Sequence, residues 1–102
     1  MYGLMVGLSF YLIAADFPIC TFSGDQNFPC PIYENNQYYV FWTDIRYTPL
    51  RILYGARIST GGTVIDPDGK HLCNGIDYDN CCAPRAAYDG TNFLVVCGCG
   101  GC

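Results

Sequence analysis

The sequence predicts an all-β fold. We expect antiparallel sheets of about seven short strands, built on a duplicated stretch of about 55 residues, with an extended strand at the amino terminus. Three observations carry this reading. Runs rich in aromatic and β-branched residues alternate with turn chemistry. No segment spaces its apolar residues at a helical period. One part of the chain resembles another at a fixed offset.

Residues 1–16 form an apolar arm, and residues 17–102 a single all-β repeat domain with a Cys-rich carboxy-terminal tail. Within 2–15 (YGLMVGLSFYLIAA), period two places Leu4, Val6, Leu8, Phe10 and Leu12 on one face. Gly3, Met5, Gly7, Ser9 and Tyr11 fall on the other, and the glycines and serine would weaken a helix. The stretch resembles the apolar core of a signal peptide, but no Lys or Arg precedes it and no A-x-A site follows. It is also shorter than the roughly 20 residues that span a bilayer. It reads as a strand.

Further strands are expected at 28–33, 38–44, 50–58, 63–65, 83–88 and 92–97. The turns ENNQ (34–37), STGG (59–62), DPDG (66–69) and DGTN (89–92) separate most of them. In 50–58 the alternation sets Ile52, Tyr54, Ala56 and Ile58 against Arg51, Leu53, Gly55 and Arg57, the pattern of a half-buried strand. Tyr38, Val40 and Trp42 share a strand face and, with Ile52 and Tyr54, are the expected core.

Residues 29–42 (PCPIYENNQYYVFW) lie over 84–97 (PRAAYDGTNFLVVC) at an offset of 55. Pro29/Pro84, Tyr33/Tyr88 and Val40/Val95 are identical, and Tyr38/Phe93 is conservative. With a small length difference in the loop, Cys20 falls on Cys73. YYVFWTDIR (38–46), ILYGARIS (52–59), GGTVIDPDG (61–69) and AAYDGTNFLVV (86–96) together resemble a repeat of secreted bacterial proteins. That repeat has the typical form AYDGTNYLVVW-D-R, then IYGARV, then DGTVLDP-G. The resemblance implies blade-like units of four antiparallel strands, as in β-propellers, with one full unit and the first hairpin of a second within 29–97. Cys97 departs from it, standing where the first copy has Trp42. So does the unit count, because a closed propeller takes about four blades or more.

A chain of 102 residues buries only about two-thirds of its unfolded surface, so its core is marginal without cross-links or association. Eight cysteines at this density point to disulfides and an extracellular, secreted setting. Cys20, Cys30, Cys73, Cys81, Cys82, Cys97, Cys99 and Cys102 are all bridge candidates, and spacing does not choose among connectivities. The C-x-C and C-x-x-C spacing at 97–102 could serve a metal, but no histidine lies near it in sequence, and no metal or other cofactor is expected.

With nine acidic residues against five basic ones, the chain has no basic stripe for phosphates, which argues against nucleic acid. The Asp66-Pro67-Asp68-Gly69 and Asp77-Tyr78-Asp79-Asn80 clusters read as turns, since neither follows the EF-hand spacing. His71 is the only histidine, and no G-x-S-x-G elbow accompanies it, so no catalytic residue is assigned and no enzymatic activity is expected. Asp44 and Arg46 read as a surface pair. The hydroxyls of Ser59, Thr60 and Thr63 are candidate positions for an attached glycan.

An array with too few units to close has open edges, which natural proteins cover. The expected partner is another copy of the same chain, reached through the strand of Leu4, Val6, Leu8, Phe10 and Leu12. The expected function is that of a subunit of an extracellular fibre. A secreted carbohydrate- or ligand-binding β module, with tyrosines stacked on sugar rings, is the alternative.

Overall fold

The computed structural model describes residues 17–47, 50–72 and 82–98. Within them the fold is all-β and antiparallel, as the sequence predicts. Strands β1 (Gln26–Glu34), β2 (Gln37–Asp44), β3 (Ile52–Ser59) and β4 (Lys70–His71) form one sheet in that spatial order. Strands β5 (Cys82–Tyr88) and β6 (Phe93–Gly98) form a second, two-stranded sheet. The described residues thus hold six strands in two sheets where about seven were expected. Residues 63–65 contribute only the bridge Ile58↔Val64, because turns close on both sides and leave no length for a ladder. The short β4 was not anticipated from sequence. The apolar arm lies outside the described residues.

The two hairpins are built alike. In the first, Asn35 and Asn36 both adopt positive φ (55° and 56°), the conformation of a two-residue type I′ turn, which asparagine tolerates. Upstream, β1 bulges between Asn27 and Cys30, so Phe28 and Pro29 oppose Trp42 alone. In the second hairpin β5 bulges between Cys82 and Arg85, 55 positions on. Phe28 (φ 56°) and Ala83 (φ 50°) take the same left-handed conformation, each just before a proline. Proline cannot donate to a ladder, so the bulge accommodates it. Tyr33↔Tyr38 and Tyr88↔Phe93 close the two turns in the same register. Only this hairpin recurs. β3 and β4 have no counterpart among the described residues.

Alternation along β2 and β3 creates two apolar clusters, one on each face of the four-stranded sheet. Trp42, Ile52, Tyr54, Ala56 and Ile58 form the first, closed over by Ile19, Cys20 and Val64. Phe41 and Leu53 centre the second, against which Ala86, Phe93, Val95 and Cys97 of the second hairpin pack. Phe93 is the hub, with its ring 4.4 Å from Tyr39 and 5.6 Å from Phe41. β3 is therefore buried on both faces from Ile52 to Ala56, and not half-buried as its alternation suggested. The difference comes from the second hairpin and Leu72, which cover the Leu53 and Gly55 side.

Cys82 and Cys97 are in the disulfide-bonded state. Cys20 and Cys30 are free thiols, contrary to expectation. Cys20 packs in the cluster around Trp42 and Cys30 in the cluster around Phe41, so the sheet itself separates the two sulfurs. Cys73, Cys81, Cys99 and Cys102 lie outside the described residues.

Candidate functional site

The densest polar constellation lies at the end of β2. Trp42 and Asp44, two apart on one strand face, are joined by an indole Nε1–H donating to Asp44 Oδ2 at 2.9 Å. Arg46 adds a two-pronged pairing, donating from Nε to Oδ1 at 2.9 Å and from Nη2 to Oδ2 at 2.8 Å. Its backbone N–H also donates to Oδ1, at 2.8 Å. The same Nη2 donates to the Asp68 carbonyl at 2.7 Å and approaches the Cys20 sulfur at 3.4 Å. The guanidinium sits between two rings, 3.9 Å from the Tyr54 centroid and 4.4 Å from that of Phe22.

The side chains of Asp44 and Arg46 are only 0% and 5% exposed, so the expected surface pair is a buried one. Phe22 and the 66–69 turn close over it. Burial by itself would raise the Asp44 carboxyl, but hydrogen bonds from Arg46 and Trp42 outweigh it and hold the group below its usual range. Burial raises the Tyr54 phenol. Among the described residues no buried side-chain nitrogen or oxygen lacks a partner, which makes the cluster a clamp on the fold.

The DPDG segment is a turn, with Gly69 N–H donating to the Asp66 carbonyl at 2.9 Å. Asp66 accepts from Arg57 Nε at 2.8 Å and Nη2 at 2.9 Å, and Lys70 Nζ lies 3.6 Å away. Asp68 accepts the Thr21 backbone N–H at 2.8 Å, tying the entering chain to the turn. These oxygens are committed to protein donors. Among the described residues no group of three or more His, Cys, Asp or Glu side chains is placed to hold a metal ion. The Asp77–Asn80 cluster falls outside them.

The Arg57 hydrogen bond, foremost, pulls the Asp66 carboxyl down to about 2 from an ordinary value of 3.8. A depressed carboxyl contributes stability that is present above the ordinary value and is lost as pH falls through the folded one. Asp66→Asn should therefore lower stability at pH 7, with the deficit shrinking between about pH 4 and pH 2. Urea titrations across that window check it. A deficit that does not change with pH would show that the ion pair is not its source.

What remains open is apolar. On β6, Phe93, Val95 and Cys97 face the first sheet, which turns Leu94 and Val96 to solvent at 67% and 55% exposure. Across the molecule, Tyr33 and Tyr38 are 50% and 45% exposed, their rings 4.9 Å apart. They flank a depression of about 420 Å³ lined by Phe17, Ile19, Pro31, Tyr38, Val40 and Ile58 among others. A second cleft of about 380 Å³ runs where the hairpin meets the sheet, with Tyr39, Phe41 and Phe93 as its aromatic lining and Arg57, Asp66 and Lys70 as its polar one.

The sheet edges differ. β1 carries Pro29 and Pro31 and a bulge, and β4 is two residues long, so both resist pairing. β6 has neither device. Its sequence, FLVVCG, contains no charge and no proline. Among the described residues its sheet ends there.

Of the expected core residues, Trp42, Ile52 and Tyr54 are buried together and Val40 packs half-buried against them. Tyr38 does not belong to the core. It sits at the turn end of β2, 45% exposed at the rim of the depression it shares with Phe17 and Ile19. Leu4, Val6, Leu8, Phe10 and Leu12 lie outside the described residues. Ser59, Thr60 and Thr63 sit at a tight turn, where Ser59 Oγ accepts the Thr63 N–H at 3.0 Å. His71 stacks on Tyr54 at 5.6 Å. No helix among the described residues is long and apolar enough to cross a membrane. Sequence reasoning missed the outward Leu94 and Val96, although the offset of 55 that maps them onto Tyr39 and Phe41 was available to find them. In comparisons with known proteins, no family model, no curated protein and no solved structure matches the chain.

Proposed function

We propose that this chain is a secreted, non-catalytic structural subunit that polymerises head to tail into an extracellular fibre, each copy donating its apolar arm to the next. The acceptor is the edge of β6. The observation that carries this is the contrast between the two hairpins. β2 is paired along its whole length by β3, from Gln37↔Ser59 to Asp44↔Ile52. The matching edge of β6, at Phe93, Leu94, Val95 and Val96, ends its sheet among the described residues and bears no residue that discourages pairing. In this reading the fold is a duplicated, propeller-like unit of about 55 residues, represented in its second copy by one hairpin. A donated strand from another copy takes the place that β3 has in the first.

The donor is the strand of Leu4, Val6, Leu8, Phe10 and Leu12. Burial of each side chain contributes about 1.5–3 kcal/mol, in sum enough to offset the ordering of a terminal arm. A contact in which one surface meets a different one does not close on itself in a dimer, and so can propagate. Removing residues 1–15 should abolish filaments seen by negative stain while near-UV circular dichroism stays unchanged. Filaments from the truncated chain would refute strand donation.

A second reading, a carbohydrate-binding module, draws on the cleft between the sheets, whose aromatic lining beside Asp66 and Lys70 suits a sugar ring. A compact monomer that binds glycans would favour it over the fibre.

A further inference from the structure

The offset of 55 makes the contact between the two hairpins a template for a second contact. In the first hairpin the face bearing Cys30, Ile32, Tyr39 and Phe41 is covered by the second hairpin. Moved on by 55 positions, those residues become Arg85, Ala87, Leu94 and Val96. They form the outer face of the second hairpin, paired Arg85↔Val96 and Ala87↔Leu94, and all four are exposed. The covering residues Ala86, Phe93, Val95 and Cys97 correspond in the same way to Pro31, Tyr38, Val40 and Trp42. Val40 and Trp42 lie under the 17–20 segment, whereas Pro31 and Tyr38, with Tyr33 beside them, stay open at the Phe17 depression.

The chain therefore displays one half of a contact it already makes internally and, at Tyr38, the hub of the other half, on surfaces that one copy does not bring together. We infer that the Leu94/Val96 face of one copy stacks on the Tyr33/Tyr38 face of the next, repeating between chains the packing that joins the two hairpins within one.

The occupant is a second copy because the two faces are related by the internal offset, and an unrelated partner would have no reason to match it. Register is set by the residues themselves. Tyr38 takes the position of Phe93, whose ring reaches both Tyr39 and Phe41 internally, and so would lie over Leu94 and Val96. The bulges that bend β1 and β5 alike give the faces the same twist. This inference rests on the self-association reading and adds a face contact to its donated strand.

The test uses full-length chains in sedimentation equilibrium. Leu94→Arg and, separately, Val96→Lys place a charge in the stacked face and should weaken association about tenfold or more. Both positions are on the surface, and near-UV circular dichroism checks that each variant is folded. Tyr38→Arg should weaken association equally from the opposite surface. Mixing Leu94→Arg with Tyr38→Arg is decisive. Each variant keeps one intact face, so the mixture should recover, between unlike copies, the face contact that neither variant makes with its own kind, which two like faces meeting symmetrically would not give. Association that survives Leu94→Arg and Val96→Lys but is lost on removing residues 1–15 overturns the stacking and leaves strand donation standing. The reverse pattern overturns donation and leaves the stacking in place. A mixture that associates no more strongly than either variant alone overturns the stacking.

Discussion

Arg46→Met should destabilise the fold by about 3–5 kcal/mol at neutral pH, a large share of the roughly 5–15 kcal/mol that holds a domain of this size. The loss does not come from a forfeited attraction alone. Asp44 is fully buried and depends on Arg46 for two side-chain hydrogen bonds and the compensating charge. Without them the Trp42 indole and the Arg46 backbone N–H would be its remaining donors. The desolvation that Arg46 now outweighs would then dominate and drive the Asp44 carboxyl above its ordinary value.

The sign of the pH dependence reverses accordingly. In the native chain Asp44 is depressed, so its contribution is present above the ordinary carboxylate value and fades on acidification. In the variant the group is raised, so the penalty is present at neutral pH and relaxes as pH falls and the carboxyl takes up its proton. Urea denaturation at pH 7 and at about pH 4 should show the gap between variant and parent narrowing in acid. Asp44→Ala combined with Arg46→Met should cost less than the sum of the single changes, because no charge is then stranded. Additive losses would mean that the two residues act separately.

The legibility of this fold in its sequence divides by range. The ENNQ turn, the paired hairpins and the alternation of β3 are local, and chemistry within a few residues determined them. The bulges were not foreseen. Yet Pro29 and Pro84 stand at one offset in strands that continue past them, the pattern a bulge accommodates. The burial of Asp44 was beyond such reasoning. Asp44 and Arg46 are two apart on paper, but what removes them from water is Cys20, Phe22 and the Asp68 carbonyl, each more than a turn or strand away in sequence. Cys20 and Cys30 do not bridge each other for a related reason. Ten positions separate them in the chain, but each belongs to a different apolar cluster across the sheet. As for the candidate surfaces, the proposed donor rests on a period-two pattern in the sequence alone and lies outside the described residues. The β6 edge and the Leu94/Val96 face emerged only when the second hairpin was seen to have used its other face.

Trp42→Ala should cost a further class of about 3–5 kcal/mol, for reasons of shape more than charge. The indole lies at the centre of the first cluster, stacked 6.3 Å from Tyr54 at an interplanar angle of 23°. A Cβ built on Gly69 would fall 2.5 Å from its Cη2, so the chain passes over the ring at the one residue type that leaves room. Gly69 also adopts φ +77°, which a side chain disfavours, so the turn is fixed in place by the ring beneath it. Removing the indole opens a cavity under a turn that cannot collapse into it, and takes from Asp44 one of its donors. Trp42→Phe separates the two effects. It keeps most of the ring volume but not the N–H, and should cost about 1–3 kcal/mol. Trp42 is the only tryptophan, so its fluorescence reports this site alone. Emission should be that of a buried indole, and its red shift should coincide with the loss of circular dichroism in urea. An alanine variant that remains as stable as the parent yet loses affinity for a glycan would overturn the core assignment and move the argument to the binding-module reading.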